Sequence, residues 1–572
     1  MWRKGITTFI VCLRTIVLPA QSHEDIGRIL RLTGRDSAEE LSGHEVEVFQ
    51  EYLERPLRIN SEGIGRLRSC GLFSAYQAAS LADYRARHGD ILSMNELSSV
   101  DGFTPESAAV LAPFITLEGG VLSSGNTSAS KGYYCDIAVK GGIRRNEGSY
   151  GLKAKGSIGR RVTYSLGLSR SYSAKSAAPE HLTGNLGWES RKIPLRIMAG
   201  RYNLRFGQGL ALWNGMSMGG LSKISSFYRS GTGLSSSWSF TGSNAFTGIA
   251  GEYNRARFRA TSSVSFSKGS VLPAVNIGWF GRNMSVSATH YIEFERGPGT
   301  GRTHIPDMKT AADIAACING TDIFSEIVFD WVSCTAAALA GTTFPAGEMI
   351  RMALHLRYYP SGYNPAYSAA PRSGSRCSDE LGASWCMELA KGSGRQGGSI
   401  SLDGALMPAG KSEAGKGLQF KGVADWEFGI SEAITLKLRL SERYRTWERR
   451  LRTDLRADLT WTGKRFTASS RIDVLKHIRT GFLAYVEGGW KSEKLSVFVK
   501  TGVYIVDEWE DRIYSYERNS PGNFSVPAFY GRGAWTTIYT AWKFSRRGKV
   551  YVIGTVKPGK AELKLQVNLS IS

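Results

Sequence analysis

The residue types with the clearest chemical potential are six arginines and three aspartates in one stretch of alternating sequence. Arg439, Arg443, Arg445, Arg452, Arg456 and Arg471 stand on the polar side of that alternation with Asp454, Asp458 and Asp473. Two arrangements suit such a set. Neighbouring strands can pair opposite charges into a self-satisfied ladder, or the excess of arginine can present a basic passage to an anionic polymer or solute. Other constellations fall away. The eight histidines (His23, His44, His88, His181, His290, His304, His355 and His477) contain no H-E-x-x-H and no pair at metal-ligand spacing. The many serines include no G-x-S-x-G elbow. Arg205-Phe206-Gly207-Gln208-Gly209-Leu210 lacks the lysine and the following helix of a nucleotide loop, so close packing at a strand or lumen bend is expected there. No catalytic residue, metal site or cofactor is indicated, and a non-enzymatic protein is expected.

The elements that must carry these charges are strands. In 561–572, Leu563, Leu565, Val567, Leu569 and Ile571 alternate with Glu562, Lys564, Gln566, Asn568 and Ser570. Ile434, Leu436, Leu438 and Leu440 alternate in the same way with Lys437, Arg439 and Ser441. Such strands recur from Lys131 to the end, too many for one soluble sandwich. A closed antiparallel transmembrane β-barrel of roughly 16–24 strands accounts for them, apolar outside, polar inside and aromatic at its rims. Tyr358, Tyr359, Trp447, Trp461, Trp490 and Trp535 are candidates for the rims, and 171–194, 292–322, 359–379 and 505–531 for long external loops or a partial plug. Glycine, at 66 of 572 residues with only 17 prolines, fits neither collagen nor a proline-rich linker. No apolar run reaches the roughly 18–20 residues of a spanning helix.

The first 118 residues differ. Trp2-Arg3-Lys4, an apolar stretch from Ile6 to Val17 and Leu18-Pro19-Ala20 have the layout of a signal peptide over 1–20. From 21 to 118 the apolar spacing is three and four, as over Ala38–Leu53 and Ala75–Arg87, which predicts a small all-α domain. Residues 119–131 have linker composition, and the barrel takes 132–572. Six cysteines remain after the signal, without C-x-x-C spacing; Cys377 and Cys386 form the loop easiest to close. Charge is divided unevenly. Residues 21–120 hold 16 acids and 9 bases, whereas 121–572 hold 34 acids and 60 bases.

Residues 57–117 resemble a competence-type (ComEA-like) tandem helix-hairpin-helix. The resemblance rests on the opening Ile59-Asn60, the hairpin Cys70-Gly71-Leu72-Phe73, the spacer Tyr84-Arg85 to Gly89, and a second copy at Asp101-Gly102-Phe103-Thr104. Together with Gly200–Leu210, Leu356–Asn364, Asp511–Glu517 and Phe524–Gly533, the chain resembles helix-hairpin-helix outer-membrane proteins of the Bacteroidota. The resemblance implies phosphate binding by backbone amides at Gly71, Leu72 and Phe73 and at Gly102, Phe103 and Thr104, assisted by Arg66, Arg68, Arg85 and Arg87. Phe73 and Thr104 stand where the pattern has its second glycines, and Asp101 adjoins one site. The expected location is the outer membrane, with the helical domain in the periplasm. The expected role is anchoring or docking a periplasmic protein partner, with outer-membrane lipid around the barrel. The alternative is a DNA-uptake or transport component with a basic lumen, which the acidic domain disfavours.

Overall fold

The structure is a computed structural model that describes residues 23–571 apart from short interruptions, the longest being 119–132. The expected signal (1–20) and linker (119–131) lie outside the described residues. From Tyr133 to Ile571, 24 antiparallel strands, each hydrogen-bonded to the next, close when Lys560–Ile571 pairs with Tyr133–Arg144. A further short strand, Gly233–Ser236, pairs with the end of Leu195–Arg205. The count is the upper end of the expected range. Turn chemistry supports the meander. Between Thr303–Ile318 and Thr321–Asp330, Asn319 (φ 50°) and Gly320 (φ 78°) both adopt the left-handed conformation that a two-residue type I′ hairpin requires.

Alternation sets the faces. Leu563, Leu565, Leu569 and Ile571 are exposed on the outside, as are Leu438, Leu440, Leu455 and Ile472, whereas Gln566 and Asp473 are buried within the lumen. No helix among the described residues is long and apolar enough to cross a membrane. The apolar belt of a closed barrel does so, because every backbone N–H and C=O of the wall is paired between strands.

The loop and rim expectations are met in part. Residues 292–322, expected to be irregular, lie largely in the strands Met284–Arg296 and Thr303–Ile318. Their polar residues look inward: buried Lys309 pairs with Asp307 and with Asp330 at 3.5 Å, and Tyr291 Oη donates to Asp307 at 2.9 Å. Trp535 and Tyr359 also face the lumen rather than the lipid. Trp535 packs on Phe529 at 4.4 Å, and Tyr359 Oη donates to the Pro371 carbonyl. The long joins 171–180, 206–245, 360–379 and 507–530 share one end of the barrel, and joins at the other end have six residues or fewer.

Three of these joins fold inward. At Gly207 and Gly209 (φ 56° and 93°) the chain turns so that the N–H groups of Gln208, Leu210 and Ala211 all donate to the buried Glu326 carboxylate of the wall. A Cβ at Gly207 would stand 2.8 Å from that carboxylate, so the glycine is a steric requirement. Join 360–379 reaches the same turn through Tyr363 Oη, which donates to the Leu210 carbonyl at 2.8 Å. Join 507–530 is tied to the wall by Gln566, whose Oε1 accepts from Ser520 and Asn523.

The N-terminal domain comprises α1 (His23–Thr33), α2 (Gly43–Glu54), α3 (Ala75–His88), α4 (Met94–Ser98) and α5 (Pro105–Leu111). Ile29, Leu41, Ile59, Leu81, Leu97 and Phe114 are among its buried core. Leu57–Arg58 pairs in parallel with Ile115–Thr116 and closes the domain on itself. Beside that bridge, buried Asn60 donates to the carbonyls of Ile91 and Leu117, both at 2.8 Å, and accepts from Ile91 N–H. The domain does not hang below the barrel as a separate module. Tyr516 and Phe524 of an inward join pack on its core, and Ser225 of another donates to the Thr33 carbonyl.

Leu565→Arg or Leu438→Arg is expected to impair barrel assembly by about 2–4 kcal/mol at mid-bilayer depth, whereas Lys564→Gln on the lumen side is much milder. Heat-modifiable gel mobility of membrane-extracted protein measures the difference; equal defects on both faces would contradict this register.

Candidate functional site

The expected lumen residues are gathered by four adjacent strands: Gly415–Gly429, Ile434–Arg445, Arg450–Thr462 and Phe466–Lys476. Their register sets Asp425 opposite Arg439, Arg439 opposite Arg456, Arg456 opposite Asp473 and Asp458 opposite Arg471. Arg439 donates to Asp425 at 2.6 Å, Arg456 to Asp473 at 3.1 Å, Arg471 to Asp458 at 2.5 Å and Arg452 to Asp454 at 3.1 Å. Arg445 donates to Gln419 and Glu448. Arg443 lies opposite Arg452, 3.7 Å from Glu448. The wall is thus partly self-paired.

The helical domain supplies the remaining acids. The short turn Ala38–Glu40, between α1 and α2, pushes two adjacent carboxylates into the arginine patch. Glu39 accepts from Arg471 Nη1 at 2.7 Å and from Tyr516 N–H at 2.9 Å, and its other oxygen lies 3.6 Å from Arg456. Glu40 meets Arg439 Nη2 at 2.7 Å. Elsewhere on the wall Lys153 holds Glu47, and Lys155 stands 3.3 Å from Glu51. Glu39, Glu40, Glu47 and Glu51 were not singled out in the sequence. Their only sequence signal is the acidic balance of 21–120 against the basic balance of the barrel. Burial pushes the Glu39 carboxyl up, but Arg471, Arg456 and the Tyr516 N–H together hold it well below the usual carboxylate range.

The residues to which the resemblance assigns phosphate binding are differently employed. Gly71 (φ 77°) and Gly102 (φ 86°) have the left-handed backbone that suits a tight hairpin. Phe73 and Phe103, however, are buried edge-to-face at 5.9 Å, and Leu72 is buried beside them. Ser74 caps α3 and Thr104 caps α5, each accepting at 3.1 Å from the N–H three residues on. The Gly102 carbonyl accepts from Gln77 Nε2. Arg85 donates to the carbonyls of Asn60 (2.5 Å) and Glu62 (2.8 Å), and Arg87 pairs with Asp83. Arg66 and Arg68 lie outside the described residues. The aromatic pair, the caps and Arg85 therefore hold the domain together, which leaves fewer groups for a phosphate.

No protein-family model matches the chain, and no curated protein matches it. Among solved structures it is similar to the siderophore receptor PirA from Pseudomonas aeruginosa, with 8% identity, 78% of this chain, 82% of that chain and a TM-score of 0.42. The E. coli P pilus tip assembly intermediate PapC-PapD-PapK-PapG gives 10% identity, 79% of this chain, 62% of that chain and 0.47. The copper transporter OprC gives 8%, 76%, 80% and 0.41. At these values none speaks to what this chain binds. The functional reading rests on its own geometry.

Glu39→Gln is expected to loosen the helical domain by an amount near the lower end of the roughly 3–5 kcal/mol seen when one partner of a buried pair is removed, because Arg471 and Arg456 keep Asp458 and Asp473. A carboxylate whose folded value is depressed contributes fully above its unfolded value, about 4.3, and loses that contribution as pH falls through the folded value. Limited proteolysis of residues 23–118 should therefore separate the variant from the wild type by a constant margin above about pH 5, with the margin narrowing below about pH 4. A margin that does not narrow would remove Glu39 as the charged anchor.

Proposed function

We propose that this protein is a plugged outer-membrane conduit, non-enzymatic, in which the N-terminal helical domain is the plug and the arginine-lined wall the path for an anionic solute. The observation that carries this reading is the seating of Glu39 and Glu40 against Arg439, Arg456 and Arg471 near the middle of their strands. An acidic turn occupies the place where a passing anion would meet the wall, so retention of the plug and passage of the solute exclude one another. The module that resembles a helix-hairpin-helix then serves as a lumen domain, and a periplasmic protein would act by displacing it. Support for the plug role over DNA capture comes from Arg85 and the capped helices, whose polar groups already have partners inside the domain.

Single-channel recording in planar bilayers tests this. The wild type is expected to stay closed for most of the record, and Glu39→Gln with Glu40→Gln to open more often, with anion-selective current. A wild type that conducts freely, or open events that favour cations, would refute it.

A further inference from the structure

Above the plug, the wall and two inward joins enclose a chamber of about 310 Å³. Its charges are one-sided. Arg35 comes from the plug, Arg229 from join 206–245, Arg372 from join 360–379, and Lys421, Arg443 and Arg445 from the wall. Arg357 also lines it, already held by Glu380 at 2.5 Å and Asp403 at 2.9 Å. Asp403 is the only carboxylate among the described lining residues. Among the described lining residues seven cations thus share the chamber with one acid; of the acids around it, Glu380 is engaged on Arg357, Glu448 on Arg445 and Glu40 on Arg439, and Glu45 acts on Arg229.

Several of these cations have spare donors. Arg35 Nη1 and Arg443 Nε are buried without a partner, and Lys421 feels Glu40 and Asp403 through space, with no ion pair within 4 Å among the described residues. Among the described residues Arg372 donates only to the Ser375 and Ala370 carbonyls and the Cys377 sulfur. Burial, with Arg35 alongside, pushes the Arg229 guanidinium down to about 10, against the opposing pull of Glu45. Buried donors without acceptors and like charges at close range are both costly. A compact solute carrying several oxyanion oxygens would relieve both at once, and guanidinium forks match the geometry of phosphate and sulfate.

We infer that this chamber, built jointly by plug, joins and wall, is a binding site for a compact multianionic solute bearing phosphate-type groups. The inference deepens the conduit reading by naming a solute class, but binding here does not require the plug to move. Because Arg35 belongs to the plug, the bound solute would bridge plug and wall in the closed state.

The test is calorimetry on the purified full chain in detergent, with pyrophosphate as probe and phosphate, sulfate and acetate as comparison arms. One saturable site is expected, at least tenfold tighter for pyrophosphate than for acetate and weakening as salt rises. Tighter binding of sulfate than of phosphate would assign the site to sulfated rather than phosphorylated solutes within the same class. Lys421→Gln with Arg372→Gln should weaken pyrophosphate binding at least tenfold. Lys421→Arg should retain binding, and Lys437→Gln, outside the chamber and 3.3 Å from Glu427, should leave it unchanged. Absence of saturable binding at physiological salt, or equal affinity in the double variant shown to be folded by heat-modifiable mobility, would overturn the inference. Intact gating without pyrophosphate binding would sink the site alone; binding without any gating would sink the conduit reading and leave the site.

Discussion

The structure depends on opposite charge buried inside the barrel. A wall rich in inward arginine and lysine cannot be sealed by an apolar core, because each unpaired cation removed from water costs several kcal/mol. It is sealed instead by an acidic domain, and Glu39 is where this is most evident. One carboxylate touches two strands through Arg456 and Arg471 and an inward join through the Tyr516 N–H. Wall, join and plug meet at that side chain, so the position of each is set by the other two.

Glu326 works by the same physics with the roles exchanged. There the carboxylate belongs to the wall, and the donors are three backbone N–H groups of a glycine-rich turn. Tyr363 then fixes join 360–379 to that turn. The joins are therefore part of the interior as much as of the rim, and Trp535 and Tyr359 are spent on holding them rather than on the lipid interface. Charge compensation is uneven along this interior. Around Glu39 acids and arginines face one another in comparable number, although Glu39 Oε2 and Glu40 Oε2 accept no hydrogen bond; in the chamber around Lys421 cations outnumber acids, and that imbalance distinguishes a place for a solute from a place for structure.

Burial alone does not make a charged residue functional here. Arg357 is buried and fully paired, a structural cation. Lys421, three strands along the wall, faces the same space with Glu40 and Asp403 as the carboxylates acting on it. Equally, a motif does not fix the use of its residues. Arg85 follows the tyrosine of the spacer as the resemblance requires, yet its guanidinium is taken up by the Asn60 and Glu62 carbonyls, a bond that stiffens the domain.

The period-two alternation of the sequence determined the barrel and which face of Ile434–Arg445 or Lys560–Ile571 meets lipid, because side chains in a strand must alternate and only one face can be apolar. Spacing of three and four likewise determined the helical domain, whereas the local Asp/Arg alternation left both a paired wall and a basic passage open. Other features were decided only by the tertiary structure. That Glu39 and Glu40 seat on arginines some 400 residues away, that Phe73 packs on Phe103, and that Arg35, Arg372 and Lys421 share one chamber all depend on how far the domain and the joins enter the lumen. Local propensity carries no record of that depth. It is set by the sum of long-range charge pairs and shape contacts, each modest alone, whose partners are brought together only when the barrel closes.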